Sequence, residues 1–259
     1  MIPSHLGNLS NLFYLDLSTF VYPLTPPISN LNWLSGLASL KYLSLNGLNF
    51  SEAKTDWLQT INLLPSLLEL RLSFCLLHYL PQSFPSVNFS SLSKLDISGN
   101  DFNSSIPQLV FNITSLTDLK LGNFYLKGSI PKIAKGNLCN LQTLDLSVNH
   151  FSGKKTEFFQ AFSECSNSSL EHLNLSLNQL IGNMRHSLGY IKHLRNLQLY
   201  SNTFSSSIPL SIQNLSHLEI LDLNVNIMNR TISELIGQLS ELRLESAASL
   251  KELLARYHD

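Results

Sequence analysis

The feature that most constrains this chain is a sequence frame that recurs along nearly its whole length. The frame reads LxxLxLxxNx followed by an apolar residue, as in LQTLDLSVNHF, which begins at Leu141. Its second leucine returns every 24–29 residues. These leucines are Leu15, Leu43, Leu70, Leu95, Leu119, Leu144, Leu173, Leu197 and Leu221. Self-similarity at such a period indicates a repeat architecture, in which each copy stacks only on its neighbours.

The LxL core of the frame predicts a short strand, because alternate side chains of a strand point to opposite faces. The leucines are then buried, and the residues between them face solvent. Downstream pairs at Ile106-Pro107, Ile130-Pro131 and Ile208-Pro209 suit an extended segment at a turn. We therefore predict an α/β solenoid of about nine to ten repeats. A parallel sheet forms its concave face, and short helices or 3₁₀ turns form its convex face.

The asparagine of the frame is predicted to be structural. A carboxamide both donates and accepts hydrogen bonds, so it can satisfy backbone groups in its own turn and in the neighbouring one. We call these residues the asparagine ladder: Asn100, Asn149, Asn178, Asn202 and Asn226. The position is taken by Phe20, Leu48, Cys75 and Phe124 in four repeats, which predicts an irregular ladder in the N-terminal half.

Taken together, the LxxLxLSxNxφxGxIP pattern (φ apolar) resembles the plant-specific extracellular leucine-rich repeat. The stretches at 136–153 and 162–182 are similar to plant receptor-like proteins of the ethylene-inducing-xylanase-receptor and Cf type. The resemblance implies a cell-surface receptor in plant defence that lacks a kinase and works through co-receptor kinases. Its ligand would be a microbial or plant-derived protein or peptide in the apoplast. The resemblance implies no cofactor.

Both ends of the sequence depart from the full family pattern. The first residues carry neither the basic start nor the apolar run of a signal peptide. No stretch approaches the roughly 20 apolar residues of a membrane span. We expect residues 1–244 to form the solenoid and 245–259 to form a non-repeat tail with helical potential. The chain then corresponds to an internal or truncated ectodomain without caps, attached to a membrane only through a segment absent from it.

Composition and motifs argue against several functional classes. The net charge is -1 and only 14% of residues are charged, so nothing suggests a basic surface for nucleic acid. HExxH, GxSxG and phosphate-loop motifs are absent from the sequence, and we predict neither an enzyme nor a metal site. The recurring Asp16, Asp96, Asp145 and Asp222 are interpreted as consensus residues of the sheet.

Candidate sites follow from position in the repeat. Ligand-binding candidates face outward from the strands: Tyr14, Tyr42, Arg71, Lys94, Asp118, Lys120, His172, Gln198 and Tyr200. N-x-S/T sequons predict glycosylation at Asn8, Asn49, Asn88, Asn103, Asn112, Asn167, Asn174, Asn214 and Asn229. Cys139 and Cys165 precede adjacent strands on one flank, which predicts a disulfide in an oxidising compartment. Cys75 is predicted to be a buried thiol.

Three other functions stay open at this stage. The chain could be a secreted inhibitor of a microbial wall-degrading enzyme, the ectodomain of a leucine-rich-repeat receptor kinase, or a non-functional truncated remnant. Paired-cysteine caps would favour the inhibitor, and a kinase encoded downstream would favour the receptor kinase. A transcript that begins at Met1 and stops at Asp259 would favour the remnant.

Overall fold

A computed structural model describes residues 2–20, 26–53, 57–82, 88–123, 125–134, 136–154, 156–165, 167–182, 186–205, 207–228, 239 and 242. The chain forms two compact units, Met1–Leu126 and Lys127–Asp259, called unit 1 and unit 2 below. The predicted tail at 245–259 and the predicted glycosylation site Asn229 lie outside the described residues.

Unit 1 is built on five parallel strands of three residues each. They are β1 (Tyr14–Asp16), β2 (Tyr42–Ser44), β3 (Glu69–Arg71), β4 (Lys94–Asp96) and β5 (Asp118–Lys120). The central leucines pair in register from each strand to the next. In β2 to β5 these leucines are buried, because alternation turns every second side chain toward the core. The parallel strands predicted from the LxL frame are therefore confirmed in this unit.

Unit 2 contains two parallel sheets. The first has β7 (Thr143–Asp145), β9 (His172–Asn174), β11 (Asn196–Gln198) and β13 (Ile220–Asp222). Their central leucines again pair in register from each strand to the next. The second has β6 (Lys127–Gly128), β8 (His150–Lys154), β10 (Gln179–Gly182) and β12 (Thr203–Phe204). The leucine frame does not predict this second sheet.

Helical segments occupy the stretches between the strands. In the described ranges two are α-helices, α1 (Trp57–Ile61) and α2 (Thr156–Ser163), in intervals of 27 and 29 residues between frame leucines. Five are 3₁₀ helices, at Ser4–Asn8, Asn32–Gly36, Gln108–Asn112, His186–Tyr190 and Leu210–Asn214. Pro107 and Pro209 directly precede two of them with φ near -70°. The prediction of short helices and 3₁₀ turns after the strands is confirmed.

The asparagine ladder ties the turn after each strand to the repeat before it. Asn178 is buried; its Nδ2 donates to the carbonyl oxygens of Leu146, Leu175 and Ser176, and its Oδ1 accepts from the Phe151 amide. Asn100, Asn202 and Asn226 likewise bond carbonyls of two repeats and accept from the earlier one. In this way, amides and carbonyls of the turns that follow the strands are hydrogen-bonded inside the core.

Where asparagine is replaced, the structure differs from repeat to repeat. Cys75 is fully buried, as predicted, and its thiol donates weakly to the carbonyls of Leu45 and Ser73. Burial raises the pKa of Cys75 to about 12, so it stays a thiol at neutral pH. Leu48 is buried too, whereas Phe20 is fully exposed. The ladder is therefore irregular in this half, as expected, because a phenyl ring cannot supply the hydrogen bonds of a carboxamide. Phe124 lies outside the described residues.

The residue just before each ladder position has a left-handed backbone. Gly47 and Gly99 fill this position in unit 1, with φ of 75° and 72°. Val148, Leu177 and Val225 fill it in unit 2, with φ between 52° and 54°. Glycine adopts this conformation without strain, whereas a β-branched side chain does not. The two valines of unit 2 therefore hold strained backbone, as does Phe74, which precedes Cys75 in unit 1 with φ of 55°.

We expect Val148→Asn to raise the free energy of unfolding by about 1 kcal/mol, because asparagine tolerates the left-handed region better than valine. The valine side chain is 42% exposed, so little packing is lost. Urea unfolding followed by circular dichroism measures the change. Val148→Ala is the matched control, since it shortens the side chain without favouring positive φ. A destabilised Val148→Asn variant would contradict the expectation.

Cys139 and Cys165 are joined by a disulfide, with Cα atoms 5.4 Å apart and a sequence separation of 26. Cys165 follows the end of α2. In α2, Phe158, Phe159 and Phe162 are buried, and the Phe158 ring contacts each of the other two edge to face. The disulfide therefore closes a loop that carries a helix packed on the core.

Candidate functional site

The candidate site is the solvent-facing side of the strands, here called the strand face. Each strand contributes the two residues that flank its central leucine. Because the strands pair in register, these residues form two rows across neighbouring repeats. In unit 1 one row contains Tyr14, Tyr42, Glu69, Lys94 and Asp118. The other row contains Asp16, Ser44, Arg71, Asp96 and Lys120.

Three predicted ligand-binding residues meet in a stack, which we call the tyrosine column: Tyr14, Tyr42 and Arg71. The rings of Tyr14 and Tyr42 are nearly parallel, with centroids 4.2 Å apart. The Arg71 guanidinium lies 5.6 Å from the Tyr42 ring centroid, within cation–π range. Tyr14 remains 59% exposed. The column is thus ordered by its own contacts while keeping surface available to a ligand.

Glu69, absent from the predicted set, fixes the position of Arg71. One carboxylate oxygen of Glu69 accepts from Arg71 Nε at 2.6 Å and lies 2.5 Å from Nη2. The guanidinium has five N–H donors, so others remain for a ligand. Because the side chain is held before binding, ligand contacts would cost less rotamer entropy. Alternation about Leu70 places Glu69 on the same outward face as Arg71, which was the signal available in the sequence.

Local contacts also set the charge state of the column. Partial burial lowers the pKa of Arg71, but the hydrogen bond and the charge of Glu69 outweigh this effect and raise that pKa above its usual value. Hydrogen bonding with Tyr42 raises the pKa of the Tyr14 phenol. Hydrogen bonds from the Ser18 hydroxyl and amide lower the pKa of Asp16. The column therefore presents a cation and a protonated Tyr14 phenol beside a carboxylate at neutral pH.

Beside the column, three strands carry alternating charges, here called the charged block. Each strand holds one acid and one base, and the sign reverses from strand to strand in both rows. Its members are Glu69, Arg71, Lys94, Asp96, Asp118 and Lys120. Three acids and three bases leave no net charge, while opposite charges on adjacent strands favour this register. The block suits a partner with complementary charges rather than a simple anion or cation.

The strand face of unit 2 is less charged. His172 is exposed on β9, and Gln198 is half-buried on β11. Tyr200 follows β11, is half-buried, and accepts the Leu177 amide through its carbonyl. The predicted ligand-binding residues of this unit therefore do not form a stack comparable to the tyrosine column.

The recurring aspartates of the strands have a structural role that the sequence analysis did not assign. The Oδ1 atoms of Asp16, Asp96, Asp145 and Asp222 each accept the backbone amide two residues later, at 2.9–3.1 Å. Asn174 makes the same bond at 3.0 Å. These bonds stabilise the turn that ends each strand. The spacing of LDLS and LNLS was the signal available in the sequence.

The predicted glycosylation sites occupy several regions of the repeat. Exposed asparagines are Asn8, Asn88, Asn103, Asn112, Asn167 and Asn214. Asn49 is half-buried, and its Oδ1 accepts both the amide and the hydroxyl of Ser51. Asn174 alone among the described sequon asparagines lies on a strand of the strand face.

The described ranges show neither a metal-binding group nor a membrane-spanning helix. Their His, Cys, Asp and Glu side chains form no group of three that could bind a metal ion. Among the same residues, no helix has the length and apolar character needed to span a lipid bilayer.

Comparison with known proteins identifies similar repeats. Residues 28–244 match the family described as "Leucine-rich repeat region". The chain is 38% identical over 173 residues to receptor-like protein EIX1 of Solanum lycopersicum, covering 57% of the chain. It is 33% identical over 169 residues to receptor-like protein 39 of Arabidopsis thaliana, covering 64% of the chain. In both cases the chain spans only 16% of the relative's length.

Solved plant receptors have the same fold. The peptide hormone receptor RGFR1, in complex with RGF2, aligns with 93% of this chain at a TM-score of 0.74 and 28% identity. The Arabidopsis receptor kinase HAESA, in complex with the peptide hormone IDA and the co-receptor SERK1, aligns with 90% at 0.73 and 29%. The aligned regions make up 36% and 37% of those chains.

Proposed function

Because this chain belongs to the leucine-rich repeat family, we propose that it is a ligand-recognition segment of a plant cell-surface receptor-like protein. The observation that carries the proposal is the tyrosine column, ordered by stacking, a cation–π contact and an ion pair before any ligand binds. Tyrosine and arginine are common anchors of protein interfaces. The strand face of unit 1 would bind the ligand, with the charged block selecting among partners.

The proposed ligand is a peptide or an extended segment of a protein in the apoplast. Similar solved receptors are complexes with peptide hormones, and the receptor-like relatives support a recognition role without catalysis. By analogy with the HAESA–SERK1 complex, a co-receptor kinase would bind the ligand-loaded receptor. This analogy concerns the whole receptor, of which the chain is one segment. The exposed sequon asparagines would carry glycans on that route.

Selection from a displayed library of random peptides against the secreted, glycosylated chain tests the proposal. We expect Tyr42→Ala and Arg71→Ala each to lower the affinity of the chain for the recovered peptides by about 10- to 100-fold, as is typical of central anchor residues. Biolayer interferometry measures the change. Gln213→Ala, at an exposed position of the last 3₁₀ helix, is the matched control and should bind normally. Peptides whose affinity falls with Gln213→Ala but with neither Tyr42→Ala nor Arg71→Ala would contradict the proposal.

A further inference from the structure

Asn174 differs in one chemical respect from the other residues at its position in the repeat. It lies on β9 between the buried Leu173 and Leu175, so its half-buried side chain belongs to the strand face. Its Oδ1 accepts the Ser176 amide at 3.0 Å, the bond that aspartate makes in other repeats. That bond uses only the oxygen. Asparagine therefore adds one group that the turn does not require, the Nδ2 amide nitrogen.

The sequence around this nitrogen is Asn174-Leu175-Ser176, an acceptor sequon. We propose that Asn174 carries an N-linked glycan that covers the strand face of unit 2. Nδ2 forms a bond to C1 of the first sugar of a lipid-pyrophosphate-linked oligosaccharide, loses one proton, and the lipid pyrophosphate leaves. The Oδ1 bond to Ser176 is compatible with this linkage, because the glycan is attached at the other atom of the carboxamide.

A glycan at this position would sit among the outward side chains of the sheet. Asn174 pairs in register with Asp145 on one side and with Gln198 on the other. Adjacent strands are about 4.8 Å apart, far less than the width of a branched glycan. Both neighbours, and His172 on the same strand, would therefore be shielded from a protein ligand.

The strands of unit 1 contain no sequon asparagine. A glycan at Asn174 would thus leave the tyrosine column and the charged block as the part of the strand face that is open to a ligand. This proposal rests on the proposed function, because the glycan is added only on the secretory route. The chain would bind its ligand through unit 1, and the glycan would exclude the ligand from unit 2.

Glycopeptide mass spectrometry of the full chain secreted from plant cells tests the modification. The exposed Asn112 and Asn214 serve as internal references for entry into the secretory route. We expect glycan at Asn174 in most molecules, and its loss in both Ser176→Ala and Asn174→Asp. The aspartate variant keeps the turn bond, so it controls for misfolding. An unmodified Asn174 beside glycosylated Asn112 and Asn214 would overturn the inference alone. A chain with no glycan at any of the three would overturn the proposed secretory route as well.

Thiol labelling measures the shielding without a ligand. A maleimide-linked polyethylene glycol is reacted with Gln198→Cys, with and without Ser176→Ala. We expect the glycosylated chain to react about tenfold more slowly than the chain without the sequon, because a bulky glycan obstructs the reagent. Lys94→Cys in unit 1 should react equally in both backgrounds. Equal rates at residue 198 in chains with and without the glycan would overturn the shielding role.

Discussion

Replacing Asn178 with alanine is expected to lower the free energy of unfolding by about 2 kcal/mol, since a buried backbone group left unpaired costs about 1–3 kcal/mol. The Phe151 amide loses its acceptor, whereas the carbonyls of Leu146, Leu175 and Ser176 each lose one donor and keep another, from Asn149, Asn202 and Val148 respectively. The amide is that of Phe151, a fully buried residue of the preceding repeat. Loss of one side chain thus weakens two successive turns.

Two measurements check this prediction. Urea unfolding gives the stability, and hydrogen exchange should show faster exchange of the Phe151 amide in Asn178→Ala. Asn178→Asp keeps the acceptor for that amide but removes the donors, so we expect it to be destabilised as well. Gln179→Ala changes the exposed neighbouring residue and should unfold like the original chain. A loss below about 1 kcal/mol in Asn178→Ala would show that water replaces the ladder bonds.

The second large effect is expected from the disulfide. Removing a crosslink that spans 26 residues should cost about 3 kcal/mol, because the unfolded chain regains the entropy of the open loop. The double variant Cys139→Ala/Cys165→Ala, which creates no sequon at Asn137, tests this by thermal and urea unfolding. Partial release of α2 would expose Phe159 and Phe162, which are buried in the intact structure.

A reductant provides the control for the disulfide prediction. Dithiothreitol should destabilise the original chain to the level of the double variant and leave the double variant unchanged. The buried Cys75, whose pKa burial raises to about 12, should contribute no thiol reactivity at neutral pH. Equal stability of the original chain with and without reductant would contradict the predicted contribution.

The repeat pattern was sufficient to predict the strands, the buried leucines and the short helices. Every repeat has the same pattern of buried positions, so a copy that deviates from the pattern can still be aligned with the others. The second sheet of unit 2 was not predictable in this way. Its strands run for only two to five residues and include Gly128, Gly153 and Gly182, which weaken any strand signal. They pair because the asparagine ladder brings successive turns side by side.

The candidate site was predictable in position but not in its internal contacts. Alternation about Leu43 and Leu70 places Tyr42 and Arg71 on the outward face, as a period of two requires. The ion pair between Arg71 and Glu69 depends on side-chain conformations that no periodicity specifies. The strained backbone at Val148 and Val225 was not predictable from the sequence either, because valine there resembles any apolar residue of the frame. Such features come from packing between repeats.

Photo-crosslinking of a selected peptide tests the central claim most directly, because it reports where the ligand lies. A benzophenone amino acid is placed at Lys94 on the strand face of unit 1, at Gln179 on the second sheet, or at Gln213 on the last 3₁₀ helix. All three side chains are exposed. If unit 1 binds the ligand through its strand face, the peptide crosslinks to residue 94 and not to residues 179 or 213. Crosslinks confined to residues 179 or 213 would place recognition elsewhere and contradict the account.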